Sequence, residues 1–238
     1  QIENFDSTGI YLINQTSFNT GFLLRYGIRY DINSIGIDST NKINLDKINP
    51  SLGLSYTINS SDNLFFSFGT SFETPTLNEL SNNPDGSGFN KDLNSNNAVN
   101  YEIGWRKSLT NIAFEAVAYI TNSDNEILPY EIEQFPGKNF YRNVGSTIRK
   151  GIELSSTISF DSGFFSLNYT LSNNRFKNFV SNGTDLSDNL IPGIPSQMLD
   201  LELLLKLSKN NTLILTNRLI GERYADNLNE TLIGSYNI

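Results

Sequence analysis

The sequence predicts an all-β protein, an antiparallel up-and-down transmembrane β-barrel. Three observations carry that prediction. Hydrophobicity alternates with period two over most of the chain. The alternating runs last roughly 10 to 16 residues, against about 5 or 6 in soluble sheets and about 9 to 11 for a tilted membrane strand. Short and long connections alternate strictly, as in barrels with tight turns at one rim and long loops at the other.

The alternation is clearest in "SSDNLFFSFGTSFE", where Leu64, Phe66, Phe68, Thr70 and Phe72 oppose Phe65, Ser67, Gly69, Ser71 and Glu73. Ile152, Leu154, Ile158 and Phe160 likewise oppose Gly151, Glu153, Ser155 and Thr157, and Phe165, Leu167, Tyr169 and Leu171 oppose Ser166, Asn168 and Thr170. The run "LDLELLLKL" also suits a helix, because leucine is a strong helix former. Pro192 and Pro195 upstream and the turn "SKNN" downstream favour a hairpin, with only Leu204 breaking the polar face.

About ten strands result, near 8–17, 20–31, 48–59, 62–73, 97–109, 111–124, 147–160, 163–178, 195–208 and 211–224. The long connections are then 32–47, 74–96, 125–146, 179–194 and 225–235. Every proline, Pro50 included, is expected in a long connection or at a strand start, where a missing N–H breaks no ladder bond. Tyr11, Tyr26, Tyr30, Phe72, Tyr101, Trp105, Phe160, Phe164, Phe176, Phe179 and Tyr224 mostly fall toward strand ends, where an interfacial aromatic girdle would lie, with core packing the alternative for any one of them. A sandwich would mix hairpins with crossovers, and a propeller would repeat a residue motif.

Composition removes other function classes. The 238 residues carry a net charge of -8 and no basic cluster, which argues against nucleic acid as a partner. The absence of Cys and His excludes thiol nucleophiles, disulfides, imidazole bases and nitrogen or sulfur metal sites. No carboxylate dyad stands out for hydrolysis, "DGSG" lacks the spacing of a calcium loop, and no metal or cofactor is expected.

Five motifs in order resemble the TonB-dependent outer-membrane receptors. They are "SFETPTLNEL" with Phe72, Pro75, Thr76, Leu77, Glu79 and Leu80; "NYEIGWR" with Glu102 and Gly104; "NVGSTIRKGIEL" with Asn143, Gly145, Gly151 and Glu153; "IPGIPSQ" with Pro192 and Pro195; and "GERYAD". The resemblance implies a 22-stranded, plugged barrel in the bacterial outer membrane. It also implies an importer of iron–siderophore complexes or a similar scarce nutrient, energised by the TonB complex through the plug. Residues 1–238 are then expected to be one partial barrel domain of about ten consecutive strands, without the plug and final strands. It would be surrounded by outer-membrane lipid and monomeric, and would not be an enzyme. The rival reading is a non-transporting surface barrel acting as adhesin or structural interaction protein.

By alternation Glu102, Arg106, Glu115, Arg149 and Glu153 face the lumen, as wall salt bridges or as contacts for a passing substrate. Glu79 reads as a solvated charge ahead of a residue that positions the loop or touches ligand, and Pro75 as the stop of a strand rising to the outer rim. The polar stretch after it reads as extracellular loop exposed to ligand, which either grips a substrate or only covers the barrel mouth. For an oxygen-rich ligand such as a ferric chelate, "NNPDGSGFN", "YEIEQFPGKNFYR" and "RFKNFVSNGTD" combine aromatic surface with amide and cationic donors. Tyr130, Phe135, Lys138, Tyr141 and Arg142 are the candidate ligand-binding residues.

Overall fold

The computed structural model describes residues 4–36, 42–86, 88–181 and 183–238. Its strands are β1 (Asn4–Ser17), β2 (Phe22–Gly36), β3 (Lys42–Thr57), β4 (Asp62–Glu73), β5 (Asn96–Ser108), β6 (Ile112–Tyr130), β7 (Phe140–Phe160) and β8 (Gly163–Asn178). They continue with β9 (Val180–Ser181), β10 (Thr184–Asp185), β11 (Gln197–Lys206), β12 (Thr212–Ile220), β13 (Arg223–Tyr224), β14 (Leu232–Ile233) and β15 (Tyr236–Asn237), and one helix, α1, spans Leu77–Ser81. Eleven strands form one sheet in the order β1-β2-β3-β4-β5-β6-β7-β8-β11-β12-β15, every pair antiparallel. The run "LDLELLLKL" is strand, and all ten expected strands are present. An eleventh begins at Tyr236.

Register divides the sheet into two faces, because directly paired residues share a side. The apolar face carries Ile10, Leu12, Ile28, Ile32, Leu54, Leu64, Ile103, Ile152, Leu171 and Leu215, all exposed. So wide an exposed apolar band is what lipid covers. Phe22 stacks on Tyr56 and Trp105 packs on Phe114 near the turns, while Tyr30 and the Phe68–Tyr101 pair lie toward the loops. Phe22 and Tyr30 are eight residues apart on β2. At about 3.4 Å per residue and about 40° of tilt they bracket roughly 20 Å along a barrel axis.

The girdle excludes several expected members. Tyr11 is register-paired with Arg29 on the polar face, and Phe164 pairs there with Leu204, the residue that breaks the polar alternation. Phe176 and Phe179 are buried with Val144 and Leu186 in a core at the loop end, and Tyr224 lies in the small β13–β14 hairpin. Burial in loop-end cores accounts for aromatics at strand ends as well as an interface does.

Strands are taller than expected in two places. β2 and β3 stay paired up to Gly36 and Lys42, so most of 32–47 is hairpin; residues 37–41 lie outside the described residues. β6 and β7 stay paired up to Tyr130 and Phe140, so most of 125–146 is also ribbon. Pro50 is inside β3, not at its start: the ladder to β4 ends at Ser51, and above it β3 pairs with β2 alone. Pro129 is likewise inside the β6–β7 ribbon. A missing N–H suits a strand where one neighbour stops.

Two tall ribbons therefore flank the shorter pair β4–β5, whose linker fills the gap between them. Within it Leu80, Phe89 and Leu93 bury against Ile35, with Ile43 and Leu45 of β3 and Ile127 and Tyr141 of the other ribbon completing the core. The stretch that read as ligand-exposed loop is thus a small folded unit. Phe89 is 4% exposed and Phe176 1%, so neither offers the aromatic surface expected of its segment. Hydrophobic residues spaced through an Asn-rich segment bury wherever they find a partner wall.

Candidate functional site

The polar face supplies a wall of paired groups. Glu102 accepts from Ser67 Oγ at 3.2 Å and Asn100 Nδ2 at 2.7 Å, and Thr121 Oγ1 donates to Asn100 Oδ1 at 2.6 Å. Arg106 pairs with Glu115 and lies 4.2 Å over the Phe65 ring. Arg149 Nη1 binds Glu126 Oε1 at 2.5 Å, with Thr147 Oγ1 donating to the same oxygen. Toward β2, Arg29 chelates Asp31, which also accepts from Asn49. Register puts Glu102, Arg106, Glu115, Arg149 and Glu153 on this one face, as alternation requires.

Two motif glycines shape the same wall. A Cβ on Gly104 would meet the Phe65 ring at 2.3 Å, and one on Gly151 would meet the Tyr119 hydroxyl at 2.8 Å. Each ring lies across a glycine on the paired strand, the packing that aromatic residues use to cover bare backbone. At the foot of the ribbon, Gly145 lies against the Asn178 carbonyl, where β8 takes one extra residue in its register with β7.

Above the wall the first motif becomes a capped helix. Phe72 closes β4, Pro75 is fully buried, and Thr76 is the N-cap of α1. Glu79 N–H donates to Thr76 Oγ1 at 3.3 Å and Thr76 N–H to Glu79 Oε2 at 2.7 Å, a reciprocal capping box. Glu79 is therefore a structural residue and not simply a solvated charge. The spacing Thr-x-x-Glu carries that signal in the sequence, and the loop reading passed over it. Asn143 holds the far end: its Nδ2 donates to the carbonyls of Asn94 and Asn125 at 2.9 and 2.7 Å, and Asn94 N–H donates to its Oδ1 at 2.7 Å. Beneath this linker a cavity of about 400 Å³ is lined by Glu73, Glu79, Thr121, Ser123, Glu126 and Arg149, among others.

Four of the five candidate ligand residues cluster. Phe140, 1% exposed, is the hub: Tyr130 and Phe135 pack on it at 6.2 and 5.7 Å, and Lys138 Nζ stands 5.0 Å over its ring. Arg142 lies 4.9 Å over Tyr130 and donates to Ser181 Oγ at 3.0 Å. Tyr141 joins the other set, accepting from Asn78 Nδ2 at its hydroxyl and from Asn90 Nδ2 at its carbonyl. Phe140, the residue that unites the group, was missed because its side chain is hidden.

The remaining loop is stitched to its neighbour. Asn229 binds both the N–H and carbonyl of Leu190, and Gly193, at φ +79 after Pro192, donates to the Tyr224 carbonyl. Pro195 accepts from Ser172 Oγ at 3.3 Å. Asp226 accepts from the backbone of Thr231 and Glu230, which holds its carboxyl below the ordinary carboxylate range. Asn182, in "NGT", lies outside the described residues. Among the described residues no group of three acidic, His or Cys side chains converges as a metal site would.

The β-barrel profile of TonB-dependent receptor-like proteins matches residues 1–238. The chain belongs to that family. It is an outer-membrane family, and the relatives found are transporters and receptors, not enzymes. Over 107 residues, 44% of this chain and 16% of the relative, it is 34% identical to the vitamin B12 transporter BtuB of Vibrio vulnificus. The siderophore receptor PiuA of Acinetobacter baumannii superposes with a TM-score of 0.76 at 19% identity, over 99% of this chain and 36% of that one. The ferric yersiniabactin uptake receptor FyuA of Yersinia pestis gives 0.73 at 16%, over 99% and 37%. Such identities establish the shared barrel fold alone, and this chain spans little more than a third of those structures. In the family frame the tight turns are periplasmic, the tall ribbons extracellular, and the polar face luminal.

Proposed function

We propose that residues 1–238 form one part of a larger, closed, monomeric barrel that imports a ferric siderophore across the outer membrane, with the TonB complex acting through a plug outside these residues. The observation that carries the substrate reading is the cation–aromatic cluster at the extracellular mouth. Lys138 and Arg142 present positive charge over Phe140 and Tyr130, an arrangement suited to an anionic, oxygen-rich chelate with aromatic donors. A corrinoid is the second reading, favoured by the 34% identity to a B12 transporter.

The test is uptake in a strain lacking the full-length gene, complemented with wild type or with Lys138→Ala/Arg142→Ala. Ferric tris-catecholate uptake should fall in the deletion strain. The double variant should raise the half-saturating concentration by about tenfold or more, since each cation contact contributes about 1 kcal/mol or more. Unimpaired ferric uptake in the deletion strain, with loss of cobalamin-dependent growth, would replace the iron reading with the corrinoid one.

A further inference from the structure

We propose that the β4–β5 linker is a permanent roof over the luminal face of β4–β7, so that substrate enters only beside it and the linker does not open during transport. Where the linker lies fixes what it covers. Ile35, Ile43 and Leu45 are on the luminal face of the β2–β3 ribbon by register, and Ile127 and Tyr141 belong to the β6–β7 ribbon. Leu77, Leu80, Phe89 and Leu93 pack against both groups, so the linker crosses the full width of β4 and β5. Glu79 shares its cavity with Thr121, Ser123 and Arg149, which places the roof directly above the polar wall.

What fixes the linker is a core of its own together with ties to the β6–β7 ribbon at two points. Leu80 is 0% exposed and Leu93 3%, burial typical of a domain interior and unlike a loop that opens and closes. The Asn78 and Asn90 bonds to Tyr141 hold its middle and the Asn94–Asn143 clamp its end, while the capping box stiffens the first turn of α1 internally. Opening would expose the buried side chains of Ile35, Leu80, Phe89 and Leu93 and break the bonds to Tyr141 and Asn143 together. The route left for substrate runs past the Tyr130–Arg142 cluster, so this part of the inference rests on the import reading; the roof itself does not.

Two measurements on the full-length receptor test it. Spin labels at Asp85→Cys on the roof and at Lys150→Cys, on the lipid-facing side of β7, should give one narrow distance distribution without any substrate. A broad or bimodal distribution overturns the proposal. With Asn94→Cys/Asn143→Cys, oxidation ties the roof to the β6–β7 ribbon, and ferric tris-catecholate uptake should stay within twofold of the reduced form. A tenfold loss on oxidation, restored by reductant, also overturns it. If the reduced form takes up no ferric chelate, the import reading fails while the distance measurement still decides the roof.

Discussion

The membrane wall and the extracellular crown are built from the same strands by different rules. In the wall, register runs unbroken from turn to turn, side chains alternate with period two, and lipid replaces a core. In the crown, Asn125 takes a positive φ and β8 gains a residue beside Gly145. Among the described residues, burial there gathers into two small clusters, one on each side of the β6–β7 ribbon. The difference teaches that the tall β6–β7 hairpin is held above the membrane by folded cover on both sides. The β4–β5 linker covers one side and the β8–β11 linker the other.

The comparison breaks most sharply at Gly145. A Cβ there would sit 1.4 Å from the Asn178 carbonyl, whereas one on Gly69 in the wall meets nothing within 4 Å. Gly145→Ala should destabilise the crown by about 3 kcal/mol, the upper range for overpacking, and Gly69→Ala by far less. Hydrogen exchange should then rise at residues 140–146 while the wall stays protected; equal effects at both positions would contradict the distinction.

A smaller effect is expected where the crown meets the wall. Arg149→Met leaves Glu126, whose side chain is only 10% exposed, with Thr147 as its remaining partner. Arg149 is itself 31% exposed, so the cost should be about 1–3 kcal/mol, below the range for a fully buried pair. Glu126→Gln added to Arg149→Met should recover most of the loss in thermal unfolding.

The smallest effect concerns pH. The Asp226 carboxyl titrates below its unfolded value of 3.8, so its contribution to the 225–235 loop is complete above that pH. It is lost as pH falls through the lower folded value, because the unfolded state then binds its proton first. Acid-induced loosening of this loop, followed by fluorescence of a label at Leu228→Cys, should lose its low-pH step in Asp226→Asn.

Legibility followed the same division. The wall could be read because period two, turn residues and strand length are local signals; Leu64 to Glu73 and Ile152 to Phe160 needed nothing else. The capping box in "TPTLNEL" was equally local, although the surrounding Asn, Gly and Asp masked it. By contrast, the extension of β2–β3 beyond Pro50, the burial of Phe89 and the role of Phe140 depend on partners across the sheet. Of the site, the luminal facing of Glu102, Arg106, Glu115, Arg149 and Glu153 could be read, whereas the parting of Tyr141 from Tyr130, Phe135, Lys138 and Arg142 could not.

By itself, then, the sequence determined the strands, their faces, the barrel class and the family, because alternation and motif order are written residue by residue. Only the tertiary structure decided that the polar stretch after Pro75 is a packed roof and not an open loop. Its few apolar residues, Leu77, Leu80, Phe89 and Leu93, have no periodicity of their own. They acquire a core only when two tall ribbons stand on either side to receive them.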